Sequence, residues 1–137
     1  MIEVKVKSIG NMQFVGKSAS GHGTLMDTRV EAGGENTGPT PMELLLIALG
    51  GCTGMDVVSV LRKMQVEFSL FEIEIRGERS EEHPKVYKKI ELVYRIKGNN
   101  VSKDKVKHAV ELSQEKYCSV SAMLKSVANI TYIIEIV

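Results

Sequence analysis

Two cysteines, Cys52 and Cys118, are the only thiols in the chain, and their surroundings differ. Cys52 lies in TGPTPMELLLIALGGCTGMDVVSVL, Thr37 to Leu61, an almost unbroken apolar run that meets two adjacent glycines just before the cysteine. Cys118 lies in KYCSVSAML, directly ahead of a predicted helix. A cysteine inside an apolar helix is either a small core filler or a reactive thiol. At Cys118 the unpaired N–H groups of the following helix favour a thiolate, and so a nucleophile or a resolving thiol. A second thiol brought beside it by the fold would complete a reversible dithiol pair. Spacing alone leaves open whether Cys52 and Cys118 meet. Neither has a His or Cys neighbour at metal-ligand spacing, which argues against both a zinc site and a secreted disulfide framework; no metal and no cofactor are expected.

The remaining candidates have competing readings. His22, in the Gly-flanked turn GKSASGH, is a candidate hydrogen-bond partner or proton carrier, although a lone His in such a turn is more often structural. Asp56, one helical turn after Cys52, is placed to accept a hydrogen bond or bridge helices. As a carboxylate it raises a neighbouring thiol pKa and is a poor activator. Tyr117 beside Cys118 lines the site or packs in a core, while His83 and His108 fall in solvated positions.

These side chains need elements to hold them. Ile2, Val4 and Val6 alternate with charged residues, and NMQFVGKS and GTLMD follow as short strands, giving an antiparallel meander of two or three strands. Glu31 to Pro41, rich in Gly, Pro, Asn and Thr, is a loop. A helix then starts with Thr40 as N-cap, Pro41 at the first helical position and Glu43 where a capping-box carboxylate belongs, and it runs to about Met64. Phe71, Ile73 and Ile75, then Val86 to Ile96, alternate as two strands of a hairpin. Ser102 caps an amphipathic helix carrying Val106, Ala109 and Val110, a shorter helix covers about Ser119 to Val127, and NITYIIEIV closes the sheet. The fold class is α+β, in one domain spanning residues 1–137.

Composition narrows the function classes. With 137 residues, 43% of them hydrophobic, and a net charge of +1 from 18 basic and 17 acidic groups, the chain has no electrostatic footprint for nucleic acid or an anionic membrane. MIEVKVKS reads as a strand rather than a leader, so a cytoplasmic protein is expected. The apolar run from Leu44 to Leu61, with Gly50 and Gly54 spaced as GxxxG, has the length of a membrane span. Asp56 near its middle, the absence of Trp and the flanking strand patterns argue for a soluble helix buried all round instead. A small domain cannot bury such a helix alone, which predicts a homodimer in which Gly50, Gly51 and Gly54 permit close packing against another helix.

TPMELLLIALGGCTGMDVVSVLRKM followed by KYCSVSAML closely resembles the OsmC/Ohr superfamily, and SASGHGTLMD, Ser18 to Asp27, resembles its YhfA-like branch. The resemblance implies an OsmC-like α+β fold, with an antiparallel sheet, a long buried central helix and an intertwined homodimer whose reactive sites lie at the subunit interface. It further implies a thiol-dependent peroxidase of the oxidative stress response. Cys52 is then peroxidatic, Cys118 resolving, an organic hydroperoxide the substrate and a dithiol the reductant. Apolar Leu45, Leu49, Met55 and Val58 would suit such a substrate. The family's peroxidase branches carry a glutamate directly after the proline, where this chain has Met42; Glu43 follows, rotated by about 100° on a helix. Glu43 is therefore a candidate site residue, with a capping-box role as the favoured alternative. Those branches also use an arginine from the N-terminal strands; here no arginine precedes Arg29, and Lys17 within GKSASGH is the neighbouring cation. The alternative is a non-catalytic dimeric module binding a small hydrophobic ligand, and a structural protein with two inert cysteines stands third.

Overall fold

The computed structural model describes all 137 residues and divides into two compact units, Met1–Leu45 and Leu46–Val137. In the first, β1 (Val4–Gly10), β2 (Gln13–Ser18) and β3 (Gly23–Met26) form the expected antiparallel meander. Gly10 and Asn11 take positive φ at the β1–β2 turn, a conformation that Gly and Asn tolerate best. The apolar residues of β1 do not form a core within the chain: Val4 and Val6 are 63% and 55% exposed.

The loop after β3 is organised by a residue that the sequence did not single out. Asp27 is 2% exposed, and its carboxylate accepts from the Thr37 hydroxyl at 2.6 Å and from the backbone N–H groups of Thr28, Thr37 and Glu35. The Thr37 hydroxyl, helped by those amides and opposed by burial, holds the carboxyl below its ordinary value of 3.8. A depressed folded pKa gives stability that is complete above the unfolded value and lost as pH falls through the folded one. The hydrogen-exchange protection factors of the Thr28, Glu35 and Thr37 amides should therefore fall on acidification below about pH 4, and Asp27→Asn should show that lower protection already at neutral pH. Unchanged protection in the variant would exclude this role.

Helix α1 spans Pro41–Lys63 and starts as its sequence dictates. The Thr40 N–H donates to the Glu43 carboxylate at 3.0 Å, and the Glu43 N–H donates to the Thr40 hydroxyl at 3.2 Å, a reciprocal capping box. In the second unit β4 (Leu70–Arg79) and β5 (Tyr87–Lys97) form the expected hairpin, and β6 (Asn129–Ile136) lies on the other side of β5. The expected antiparallel sheet needs correction here, because β6 runs parallel to β5 and the sheet is mixed. Parallel neighbours require a long crossover, and the helical segment between Lys97 and Asn129 supplies it.

Burial of α1 within one chain is partial, as expected of a helix that a small domain cannot cover alone. Within the single chain only the i, i+4 stripe Leu49, Thr53, Val57 and Leu61 is buried, while Ile47 and Met55 are 57% and 76% exposed. The helix is long and apolar enough to cross a membrane, but its buried stripe packs inside this fold. Within the chain Gly50 and Gly54 approach strand β4: a Cβ on Gly50 would sit 2.6 Å from Ile75 Cδ1, and one on Gly54 3.4 Å from Ile73 Cδ1. Gly51 faces open space.

The crossover is built from α2 (Lys103–Leu112), capped by Ser102 as predicted, a π-helical turn over Ser113–Tyr117, and α3 (Ser119–Leu124). The π turn closes with the Cys118 N–H donating to the Ser113 carbonyl at 2.7 Å. The extra residue in that turn sets Cys118 at the start of α3, and such turns occur often at functional sites.

Candidate functional site

Thr53 points from the buried stripe of α1 towards β5 and the π turn, at the centre of a fully satisfied polar cluster. Its hydroxyl lies 2.7 Å from both Tyr94 Oη and Ser113 Oγ, and it accepts from Gln114 Nε2 at 3.1 Å. Gln114 Nε2 also donates to Tyr94 Oη, and Ser121 Oγ donates to Gln114 Oε1. Ser113 Oγ donates to an Asp56 carboxylate oxygen at 2.9 Å.

Proton counting fixes the remaining directions. A hydroxyl carries one proton and two lone pairs. Ser113 spends its proton on Asp56, so it accepts from Thr53; Thr53, having spent its own, accepts from Tyr94 as well as from Gln114. The hydroxyls of Tyr94, Thr53 and Ser113 thus donate in sequence towards Asp56. No buried side-chain polar atom lacks a partner, and burial pushes the Tyr94 phenol up to about 12 against the lowering effect of its Thr53 and Gln114 bonds.

Two sulfurs stand beside this carboxylate. Cys52 Sγ, Cys118 Sγ and an Asp56 carboxylate oxygen all lie within 4.8 Å of one another. The fold therefore brings together the two thiols that are remote in sequence. Cys52 is half-buried and Cys118 is 3% exposed; both are free thiols. A disulfide between them needs the sulfurs to close to about 2 Å.

The thiolate expected at Cys118 is corrected by its burial. The cysteine does cap α3, accepting from the Ser121 N–H at 3.4 Å. Desolvation outweighs that one donor, with Cys52 and the charge of Asp56 adding to it, so the Cys118 thiol is pushed up to about 11. At neutral pH Cys118 is a thiol, and the half-buried Cys52 is the more accessible of the two.

Glu43 and His22 belong to the first unit, each with local partners. The two Thr40 bonds hold the Glu43 carboxyl below its ordinary value, and the Arg29 charge lowers it further. His22 is exposed in the β2–β3 turn, where Nδ1 lies 3.0 Å from Ser20 Oγ, itself 2.6 Å from Ser18 Oγ. His83 and His108 are exposed, as expected, and Tyr117 is 50% exposed with Lys116 Nζ 5.3 Å from its ring centroid. Of the apolar residues expected to line a pocket, Leu49 is wholly buried while Leu45 and Met55 are exposed. Sequence reasoning missed Thr53, Ser113 and Gln114, whose signal is a polar residue recurring on an otherwise apolar helix face.

Comparison with known proteins gives a consistent pattern. Residues 34–133 match the family described as OsmC-like protein. The chain is 40% identical over 136 residues to Protein YhfA of Escherichia coli strain K12, covering 99% of this chain and 98% of that protein. The crystal structure of a hypothetical protein from Aquifex aeolicus VF5 is similar with a TM-score of 0.83 and 35% identity, over 100% of this chain and 98% of that one. At 13% identity the fold alone is shared with an organic hydroperoxide resistance protein OsmC from Legionella pneumophila, TM-score 0.74 over 98% and 96% of the two chains.

Proposed function

Because the chain belongs to the OsmC-like family, we propose that it is a thiol-dependent peroxidase that reduces organic hydroperoxides with Cys52 and Cys118. The proximity of the two sulfurs, within 4.8 Å, carries this reading. In the proposed cycle Cys52, as its thiolate, attacks the terminal peroxide oxygen; the O–O bond breaks, and the alkoxide takes a proton and leaves as an alcohol. Cys52 becomes a sulfenic acid. Cys118 attacks that sulfur, water leaves, and a disulfide forms. A small dithiol then reduces it to two thiols and is itself oxidised, a cycle suited to the reducing cytoplasm. Glu43 is assigned to the helix cap and His22 to its turn, with Cys52 and Cys118 carrying the chemistry.

The working unit in this proposal is a homodimer, supported by the apolar surface that the single chain leaves bare on α1 and β1. Met55, 76% exposed, is expected at that interface. Met55→Asp should weaken self-association by about 100-fold, because it buries an unpaired charge. Sedimentation equilibrium reads this directly, and an unchanged dissociation constant would place the interface elsewhere.

Stopped-flow consumption of cumene hydroperoxide with excess dithiol tests the activity. Saturable turnover that exceeds turnover of hydrogen peroxide is expected. Consumption no faster than that of dithiol alone would reject the enzyme and leave the ligand-binding module.

A further inference from the structure

The sequence offers no metal-ligand spacing around its cysteines, yet the fold adds a third donor to them. Cys52 and Asp56 are one turn apart on α1, and Cys118 comes from the start of α3. We propose that Cys52, Asp56 and Cys118 bind a thiophilic divalent cation of the Zn²⁺ class, in a tetrahedral site whose fourth position is taken by water or a small thiolate.

Geometry supports this first. Tetrahedral zinc with Zn–S of about 2.3 Å and Zn–O of about 2.1 Å needs sulfurs about 3.8 Å apart and each sulfur about 3.6 Å from the oxygen. The three donor atoms lie within 4.8 Å of one another, so a contraction of at most about 1.2 Å per pair, within reach of small side-chain rotations, closes the site. Donor chemistry agrees, since two thiolates and one carboxylate are a borderline-soft set, and three protein ligands leave one position open. Support around the ligands is also in place. The Ser113 hydroxyl orients Asp56 at 2.9 Å, the Ser121 N–H contacts Cys118 Sγ at 3.4 Å, and the Thr53, Tyr94 and Gln114 cluster holds Ser113 and Ser121. Such outer contacts tune a metal site nearly as much as its ligands do.

On binding, each thiol gives up its proton to solvent and each sulfur gives a lone pair to the cation. A disulfide uses the same two sulfurs, so metal binding and oxidation of the pair exclude one another. The site does not depend on peroxide chemistry and stands whether or not the protein turns over hydroperoxides.

Anaerobic titration of the reduced full-length protein with Co²⁺ tests the site without any peroxide. The expected result is one Co²⁺ per chain, with a thiolate-to-cobalt charge-transfer band and the strong visible bands of tetrahedral coordination, all displaced by Zn²⁺. Cys52→Ser and Cys118→Ser should each abolish the charge-transfer band of a two-thiolate site, and Asp56→Asn should weaken Co²⁺ binding by at least about tenfold. In the unsubstituted protein, prior oxidation of the pair should abolish binding and reduction should restore it, which keeps the test independent of how the variants fold. Absence of a saturable band in the reduced protein overturns the proposal. So does Asp56→Asn binding as tightly as the parent, which would leave an ordinary dithiol. A protein that turns over cumene hydroperoxide but binds no Co²⁺ defeats this site alone, and one that binds Co²⁺ but turns over nothing defeats only the peroxidase.

Discussion

Cys52→Ser is expected to lower kcat/KM for cumene hydroperoxide by about a thousandfold or more, because a serine hydroxyl cannot replace a thiolate as the atom that attacks the O–O bond. Cys118→Ser should behave differently. Its first turnover should proceed near the parental rate and stop, with Cys52 held as a sulfenic acid that excess peroxide drives to sulfinic acid. Intact mass spectrometry separates the two outcomes: one added oxygen and then two in Cys118→Ser, none in Cys52→Ser. The raised Cys118 pKa of about 11 adds a pH signature. Below that value the resolving thiolate is a minor species, so disulfide formation in the unsubstituted protein should quicken by up to about tenfold per pH unit. Loss of the first turnover in Cys118→Ser, with its retention in Cys52→Ser, would mean that Cys118, not Cys52, takes the oxygen.

How much of this was legible in the sequence depends on how local each cause is. The start of α1 follows from Thr40, Pro41 and Glu43 alone, and both capping bonds are present. The β4–β5 hairpin follows from period-two alternation, and Ser102 caps α2 as its position predicts. The direction of β6 does not, because a β-branched run reads the same in a parallel or an antiparallel sheet. Two helices between β5 and β6 leave room for a parallel return, but a connection of that length also permits an antiparallel one. Ser113 to Tyr117 continues a helical pattern without interruption, and nothing local marks the π turn that displaces Cys118.

The site was half legible for the same reason. The pairing of Cys52 with Cys118 came through resemblance, as no local rule joins residues on α1 and α3. A helix N-terminus argues for a thiolate at Cys118, and the sequence could not show that burial would outweigh one N–H at 3.4 Å. As a carboxylate, Asp56 is a poor thiol activator. Its proposed role as a metal ligand rests on the fold, which places the carboxylate beside both sulfurs where a serine from the π turn holds it.

Thr53→Val is expected to destabilise the fold by about 3 kcal/mol, a fall in Tm of roughly 10 °C for a chain of this size. Valine matches threonine in shape, so the wholly buried position keeps its packing and loses only the hydroxyl. That hydroxyl is the acceptor for Tyr94 and the donor to Ser113, and Gln114 shares it. Without it the Tyr94 proton loses its acceptor: Gln114 Nε2 only donates to the phenol, and the hydrogen bonds of Ser113 Oγ run to Thr53 and Asp56 rather than to Tyr94. A buried donor left unpaired costs about 1–3 kcal/mol, and the lost bonds to Ser113 and Gln114 add to it. Thr53→Ser restores the hydroxyl and removes one methyl, so it should cost only about 1 kcal/mol. The contrast between the two variants, read by thermal melting, isolates the hydrogen bonds from the packing. A double-mutant cycle with Tyr94→Phe should then recover part of the loss, because removing the phenol proton removes the orphaned donor. Equal melting of Thr53→Val and Thr53→Ser would mean that water replaces the missing hydroxyl, and that Asp56 is held by Ser113 without help from the core beneath it.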